Sequence, residues 1–128
     1  MATQRVRRGE SVTVLASAAR TATPTVDTFK NTSGSVAGMV LIVDVTAASA
    51  TPSVVFTILG SDPVSGETYT ILESAAITGI GTTVLRVHPE LSVSANLIAK
   101  DLIPNEWTLT AVHADADSIT YSVSAQLV

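Results

Sequence analysis

The residues best suited to chemistry stand near the C-terminal end, in the run His113-Ala-Asp-Ala-Asp-Ser118. Asp115 and Asp117, two positions apart with the His113 imidazole beside them, could offer oxygen and nitrogen donors to a cation. Calcium takes six or more oxygens, and the run lacks both the glycine of the sharp turn and the distant bidentate glutamate of a calcium loop. Asp and Ser are also what a turn selects for bonds to its own backbone, so a plain turn is expected, with no metal and no cofactor. His88-Pro-Glu90 pairs an imidazole with a carboxylate. General acid–base work needs an oriented partner and a pocket as well, so a surface strand end is the expected role. No serine sits in a Gly-x-Ser-x-Gly elbow, and neither a phosphate cradle nor a dinucleotide-binding glycine turn is present. The expected protein is not an enzyme.

The remaining concentrated chemistry is charge. Arg5, Arg7, Arg8 and Arg20 are four of the seven basic residues, against Glu10 alone. The first twenty residues therefore carry +3 and the rest −7, a basic leader on an acidic body. Arg5, Arg7 and Arg8 are the candidate contacts of an arm with an acidic neighbour. With a pI near 4.9 and its cations confined to one end, the chain has no positive stripe of groove length, so no nucleic acid is expected. Charged residues make up 14% of the chain, against about 25% in an ordinary soluble domain. Much of the exterior must be Ser, Thr and Ala, or be covered by other subunits.

The elements that would position these groups are short and extended. Residues 39–45, 53–59 and 69–72 are rich in β-branched and aromatic side chains and are closed off by Pro, Gly, Asp and Ser. They read as a meander forming the sheet core, with the Asp62-Pro-Val-Ser-Gly66 turn joining its last two strands. Before it, 10–16 alternates as a first strand, and Val26 and Phe29 anchor a short strand inside the low-complexity stretch 17–38, ahead of a turn at 31–34. After it, Gly79 and Gly81 mark a bend, 82–87 resumes extension, and 90–101 fits a short helical turn or an ordered loop. Trp107, Leu109 and Ala111, then Ile119, Tyr121, Val123, Ala125 and Leu127, alternate strictly with polar residues, with the 113–118 turn between the two runs. Period two means one buried and one wet face.

Seven or eight such strands predict an all-β fold, a two-sheet antiparallel β-sandwich of jelly-roll or Ig-like type, with a small β-barrel as the alternative. Residues 10–128 form one domain behind a flexible basic arm at 1–9. There is no cysteine, so no disulfide framework is possible. The longest aliphatic run, 39–43, is too short to span a bilayer as a helix, and no signal peptide or membrane partner is expected.

The stretch Ala50-Thr-Pro-Ser-Val-Val-Phe-Thr-Ile58, the Asp62-Pro-Val-Ser-Gly66 turn with Tyr69, and residues 75–87 and 113–123 together resemble small virion structural proteins of tailed bacteriophages and prophages. The similarity runs from about Val12 to the C-terminus and leaves out the arm. It implies a capsid decoration or cement protein on the virion exterior, assembled in the host cytoplasm. Its partners would be the major capsid protein and further copies of itself, as a trimer or another cyclic oligomer. A tail-tube, tail-terminator or connector subunit, and a sugar- or surface-binding adhesin, are the alternatives.

Overall fold

The side-chain alternation seen along the sequence closes two layers over one core. The structure is a computed structural model that describes residues 2–32 and 36–128. One sheet contains β1 (Thr3–Val6), β3 (Thr28–Asn31), β9 (Glu106–His113), β5 (Val54–Ser61) and β6 (Thr68–Glu73), in the order β1-β3-β9-β5-β6. The other contains β2 (Ser11–Arg20), β10 (Ile119–Leu127), β4 (Met39–Ala48), β7 (Gly81–Val87) and β8 (Ile98–Ala99), in the order β2-β10-β4-β7-β8. No helix occurs among the described residues. The expected β-sandwich is present. Its interior pairings are antiparallel, but β1 joins β3 and β8 joins β7 in parallel, so both sheets are mixed.

Burial follows the pattern of residue types. Phe56, Trp107, Leu109 and Ala111 from the first sheet face Leu41, Val43, Leu85, Tyr121 and Val123 from the second, all essentially inaccessible to water. Trp107 stacks on Phe29, with ring centroids 4.4 Å apart and planes inclined by 16°. Its indole N–H donates to Asn31 Oδ1 at 3.2 Å, and Asn31 Nδ2 donates in turn to the Pro104 carbonyl at 3.0 Å. The one polar atom of the largest core side chain therefore has a partner, as a buried N–H requires. In the same cross-strand row, Gly60 lies between Trp107 and Tyr69, whose ring covers it. A Cβ at Gly60 would collide with the Tyr69 ring.

Several connections differ from their sequence reading. The stretch 39–72 is not one meander: β4 belongs to the second sheet and β5 with β6 to the first. The link between β4 and β5 crosses the edge of the sandwich through Ala50, at φ 58°, and the buried Pro52. Likewise β9 and β10 are not a hairpin, because their apolar faces oppose each other across the core and 113–118 arches from sheet to sheet. Only β5 and β6 are consecutive strands paired antiparallel through a tight turn among the described residues. Residues 90–101 form no helix and take the ordered-loop alternative: the Leu97 and Ile98 amides close one turn on the Ser94 carbonyl, and the chain loops back so that Ile98 and Ala99 pair with β7. The strand expected at 10–16 is β2, and it runs on to Arg20.

Part of the expected arm is folded. Thr3–Val6 form an edge strand, Val6 is buried, and Gly9 N donates to the Leu127 carbonyl at 2.7 Å. The alternation of Gln4 and Val6 toward the core explains this, since Gln4 Nε2 reaches Asp27 Oδ2 at 2.7 Å. Of the turn expected at 31–34, Asn31 instead closes β3, and residues 33 and 34 lie outside the described residues.

Trp107→Ala removes the stacked indole and orphans Asn31 Oδ1. It should lower the unfolding free energy by about 3–5 kcal/mol, read from urea denaturation at unchanged native circular dichroism. A loss below ~1 kcal/mol would place the ring outside the energetic core.

Candidate functional site

The titratable groups that meet most closely do so at the end of the sandwich where β2 and β9 finish. Tyr121, on β10, turns its ring into the core, where it meets Phe56 edge-on at 5.2 Å and 88°. Its hydroxyl reaches the rim and lies 2.9 Å from His113 Nε2, on the opposite sheet. Arg20, the last residue of β2, folds back over the same ring with its guanidinium carbon 4.5 Å from the centroid, a cation–π contact. The Arg20 N–H groups also donate to the carbonyls of Tyr121 at 2.7 Å, Ala16 at 2.6 Å and Ala18 at 3.2 Å. These carbonyls flank a bulge, where the register of β2 on β10 slips between the Tyr121–Ala18 and Val123–Leu15 pairs. A bulge leaves ladder groups unpaired, and the guanidinium supplies their donors.

Electrostatics at this rim follow from the packing. Burial, and then the Arg20 charge, hold the His113 pKa below its ordinary 6.5, while Asp115 pulls the other way. Burial raises the Tyr121 phenol above its ordinary 10.0, opposed by Arg20. A neutral imidazole hydrogen-bonded to a neutral phenol, roofed by a cation, can hold two sheets together. Its geometry serves the fold first, because the Tyr121 hydroxyl, His113 Nε2 and both terminal nitrogens of Arg20 are engaged by protein.

The two aspartates next to His113 are committed to loop structure. Asp115 Oδ1 accepts from the Asp117 amide at 3.0 Å. Asp117 Oδ2 accepts from the Thr51 amide at 3.1 Å and its hydroxyl at 3.2 Å, tying the β9–β10 arch to the β4–β5 link. Among the described residues no three His, Cys, Asp or Glu side chains are grouped so as to hold a metal ion. His88 Nδ1 accepts from the Glu90 amide at 3.1 Å, a local turn at the end of β7.

Arg5, Arg7 and Arg8 are exposed and near one another in the chain, at the opposite end of the sandwich from the His113 rim. Arg5 projects from the outer face beside Lys30, with Glu106 next in the row and 3.8 Å from Lys30 Nζ. Arg7 pairs with Glu10 at 3.4 Å. Arg20, counted with them as part of the basic leader, is spent on the bulge. No sequence signal could have revealed that, since its partner Tyr121 lies 101 residues away.

Also at this end is the turn between β5 and β6, which presents an apolar tip. Asp62 accepts from the Val64 amide and the Ser65 hydroxyl, both at 2.9 Å, and Ser65 Oγ accepts from the Glu67 amide at 3.2 Å. Gly66 supplies the left-handed φ of 79° that closes the turn. These bonds to the charged form lower the Asp62 pKa. Held on this framework, Val64 is 94% exposed. The surface also carries shallow grooves, two of them among the described residues as follows. One, of about 350 Å³, is lined by Ala75, Ala76, Ile77, Thr83 and Leu97, and the other, of about 390 Å³, by Pro24, Val26, Leu59, Thr68 and Thr110.

Comparison with protein-family models, curated proteins and solved structures finds no match to this chain.

His113 should titrate by NMR with a midpoint below 6.5, and Arg20→Gln should move that midpoint up. Its folded pKa is depressed, so its contribution to stability is present above 6.5. That contribution is lost as pH falls from there through the folded pKa, because the unfolded chain takes up the proton first. A wild-type midpoint at or above 6.5 would contradict the packing described.

Proposed function

We propose that this protein is a virion structural component of a tailed bacteriophage or prophage, a decoration protein that binds the assembled head from outside and stabilises it by bridging capsomers. The observation that carries this is the β5–β6 turn. An apolar side chain held rigidly in water has lost its conformational freedom before any partner arrives, which lowers the cost of docking. Val64 is such a side chain, and it belongs to the Asp62-Pro-Val-Ser-Gly66 stretch on which the resemblance rests. Ile80, Val93 and Leu102 are further large apolar side chains more than half exposed, on a chain with 14% charged residues. Such a surface suits burial against neighbours.

Arg5, Arg7 and Arg8 lie at the same end as this turn, on a folded strand and the turn after it. In this proposal they meet an acidic face of the capsid, steering the approach while the apolar tip supplies contact area. Binding to the assembled lattice and not to free capsid protein stabilises the lattice by mass action. The mechanism requires shape and adhesion, with no turnover of substrate. A ring subunit of the tail is the second reading, favoured by the two open edges of the first sheet. Location and copy number in native particles separate the two.

Val64→Asp and the triple change of Arg5, Arg7 and Arg8 to Glu should each reduce co-sedimentation with shells of the cognate capsid protein at least tenfold in affinity, about 1.4 kcal/mol, at unchanged melting temperature. Equal binding by all three proteins would remove this end of the molecule from the contact, and failure of the wild type to bind shells would overturn the proposal.

A further inference from the structure

Among the described residues the first sheet ends in two edges that no further strand pairs with, β1 and β6, and they differ in charge; Asn96 Nδ2 caps the far end of β6 by donating to the Glu73 carbonyl at 3.1 Å. Arg5 lies on β1, and Arg7 and Arg8 follow it; Asp62 and Glu67 flank the turn that leads into β6, and Glu73 ends it. The ladder sets Gln4, Phe29, Trp107, Gly60 and Tyr69 in one row across the sheet. One residue further along each edge, Arg5 is level with Thr68. The cationic end of β1 and the acidic start of β6 therefore occupy the same end of the sheet.

Strand direction and hydrogen-bonding sides agree as well. β1 is parallel to β3, and each later step to β9, β5 and β6 is antiparallel, so β1 and β6 run in opposite directions. A second copy placed edge to edge without being turned over would thus pair antiparallel. The carbonyls of Ala2 and Val6 accept from the Thr28 and Thr32 amides, which turns the even-numbered residues of β1 toward β3. Alternation leaves the N–H and C=O groups of Thr3 and Arg5 pointing outward. Asp62 N donates to the Glu67 carbonyl, so Glu67 and Tyr69 turn toward β5, and Thr68 and Thr70 point outward. At the row height given above, Arg5 meets Thr68 and Thr3 meets Thr70, outward groups against outward groups. Tyr69, half exposed, stands beside this edge as a ready apolar contact.

We propose that copies of this chain associate head to tail, β1 of one pairing with β6 of the next, so that the first sheet continues from subunit to subunit in a closed ring. The interface is heterologous, and rotation about an axis along the strands closes it. Backbone bonds supply the attachment, as in other strand-addition complexes, and the opposite charges at the two edges set the register. The proposal rests on the assembly reading above and names the surface through which copies meet.

The test is sedimentation velocity of the purified full-length chain over a concentration series at low and high salt. The wild type should form one discrete oligomer that dissociates as salt rises. Proline is tolerated on an edge strand where its missing N–H faced solvent, so Thr3→Pro and Thr70→Pro each block one edge while leaving the sandwich folded. Each variant alone should be monomeric, and an equimolar mixture should form dimers and nothing larger, since each partner retains one open edge. If either proline variant misfolds by circular dichroism, charge reversal replaces it. Arg5→Glu or Glu67→Lys, each of which lowers the charge contrast between the two edges, should weaken association at least tenfold. A wild type that stays monomeric throughout, proline variants that assemble like the wild type, or charge reversals without effect would each overturn the proposal. Shell binding is measured on the same material, so a self-assembling chain that ignores shells overturns the function proposed above and not this inference.

Discussion

Tyr121 is where the two sheets are held in register. Its ring is inserted from β10 against Phe56 of the facing sheet, its hydroxyl meets His113 across the gap, and Arg20 closes over its outer face. A β-sandwich needs inner faces that interdigitate at fixed height, since side chains on flat opposed sheets could otherwise slide. Here one aromatic residue sets that height with an edge-on contact, a hydrogen bond and a cation–π contact. The bulge in β2 and the stitched arches at 49–53 and 113–118 lie at the same rim.

The other end is set by the Phe29–Trp107 stack and the row it belongs to. That row begins at Gln4 and finishes at Tyr69, so the two outer strands are placed at matching heights by the same packing that fills the core. The stability of the interior and the presentation of the edges are thus one problem. The β5–β6 turn stands just beyond this row along the strands, fixed by the bonds that the Asp62 carboxylate accepts from Val64 and Ser65.

Much of the fold was legible because period-two burial writes itself into residue type. β7, β9 and β10 were each readable from alternating apolar side chains and β4 from its run of β-branched residues, and Trp107 and Tyr121 fell on the apolar side as their neighbours required. Pairing was not legible. Two amphipathic strands joined by a polar turn have the same sequence pattern whether they lie side by side or face each other across a core, which is why β9 and β10 look like a hairpin and are not one. The second half of β2, Ala16-Ser-Ala-Ala-Arg20, was hidden because small exposed residues on an edge carry no alternation. At the rim, the carboxylates of Asp115 and Asp117 could be seen as turn-formers from their spacing. Arg20 could not be placed, since its contacts span most of the chain.

The proposed role in a virion rests on surfaces: a preorganised apolar tip, cations at the same end, and sheet edges able to accept another strand. Imaging the native assembly, purified with this protein in place, tests that role most directly. Discrete density for the sandwich is expected at symmetry-related positions on the particle, with the end bearing Val64 and Arg7 turned toward the shell. Particles without such density, and a protein recovered solely in solution, would contradict that role.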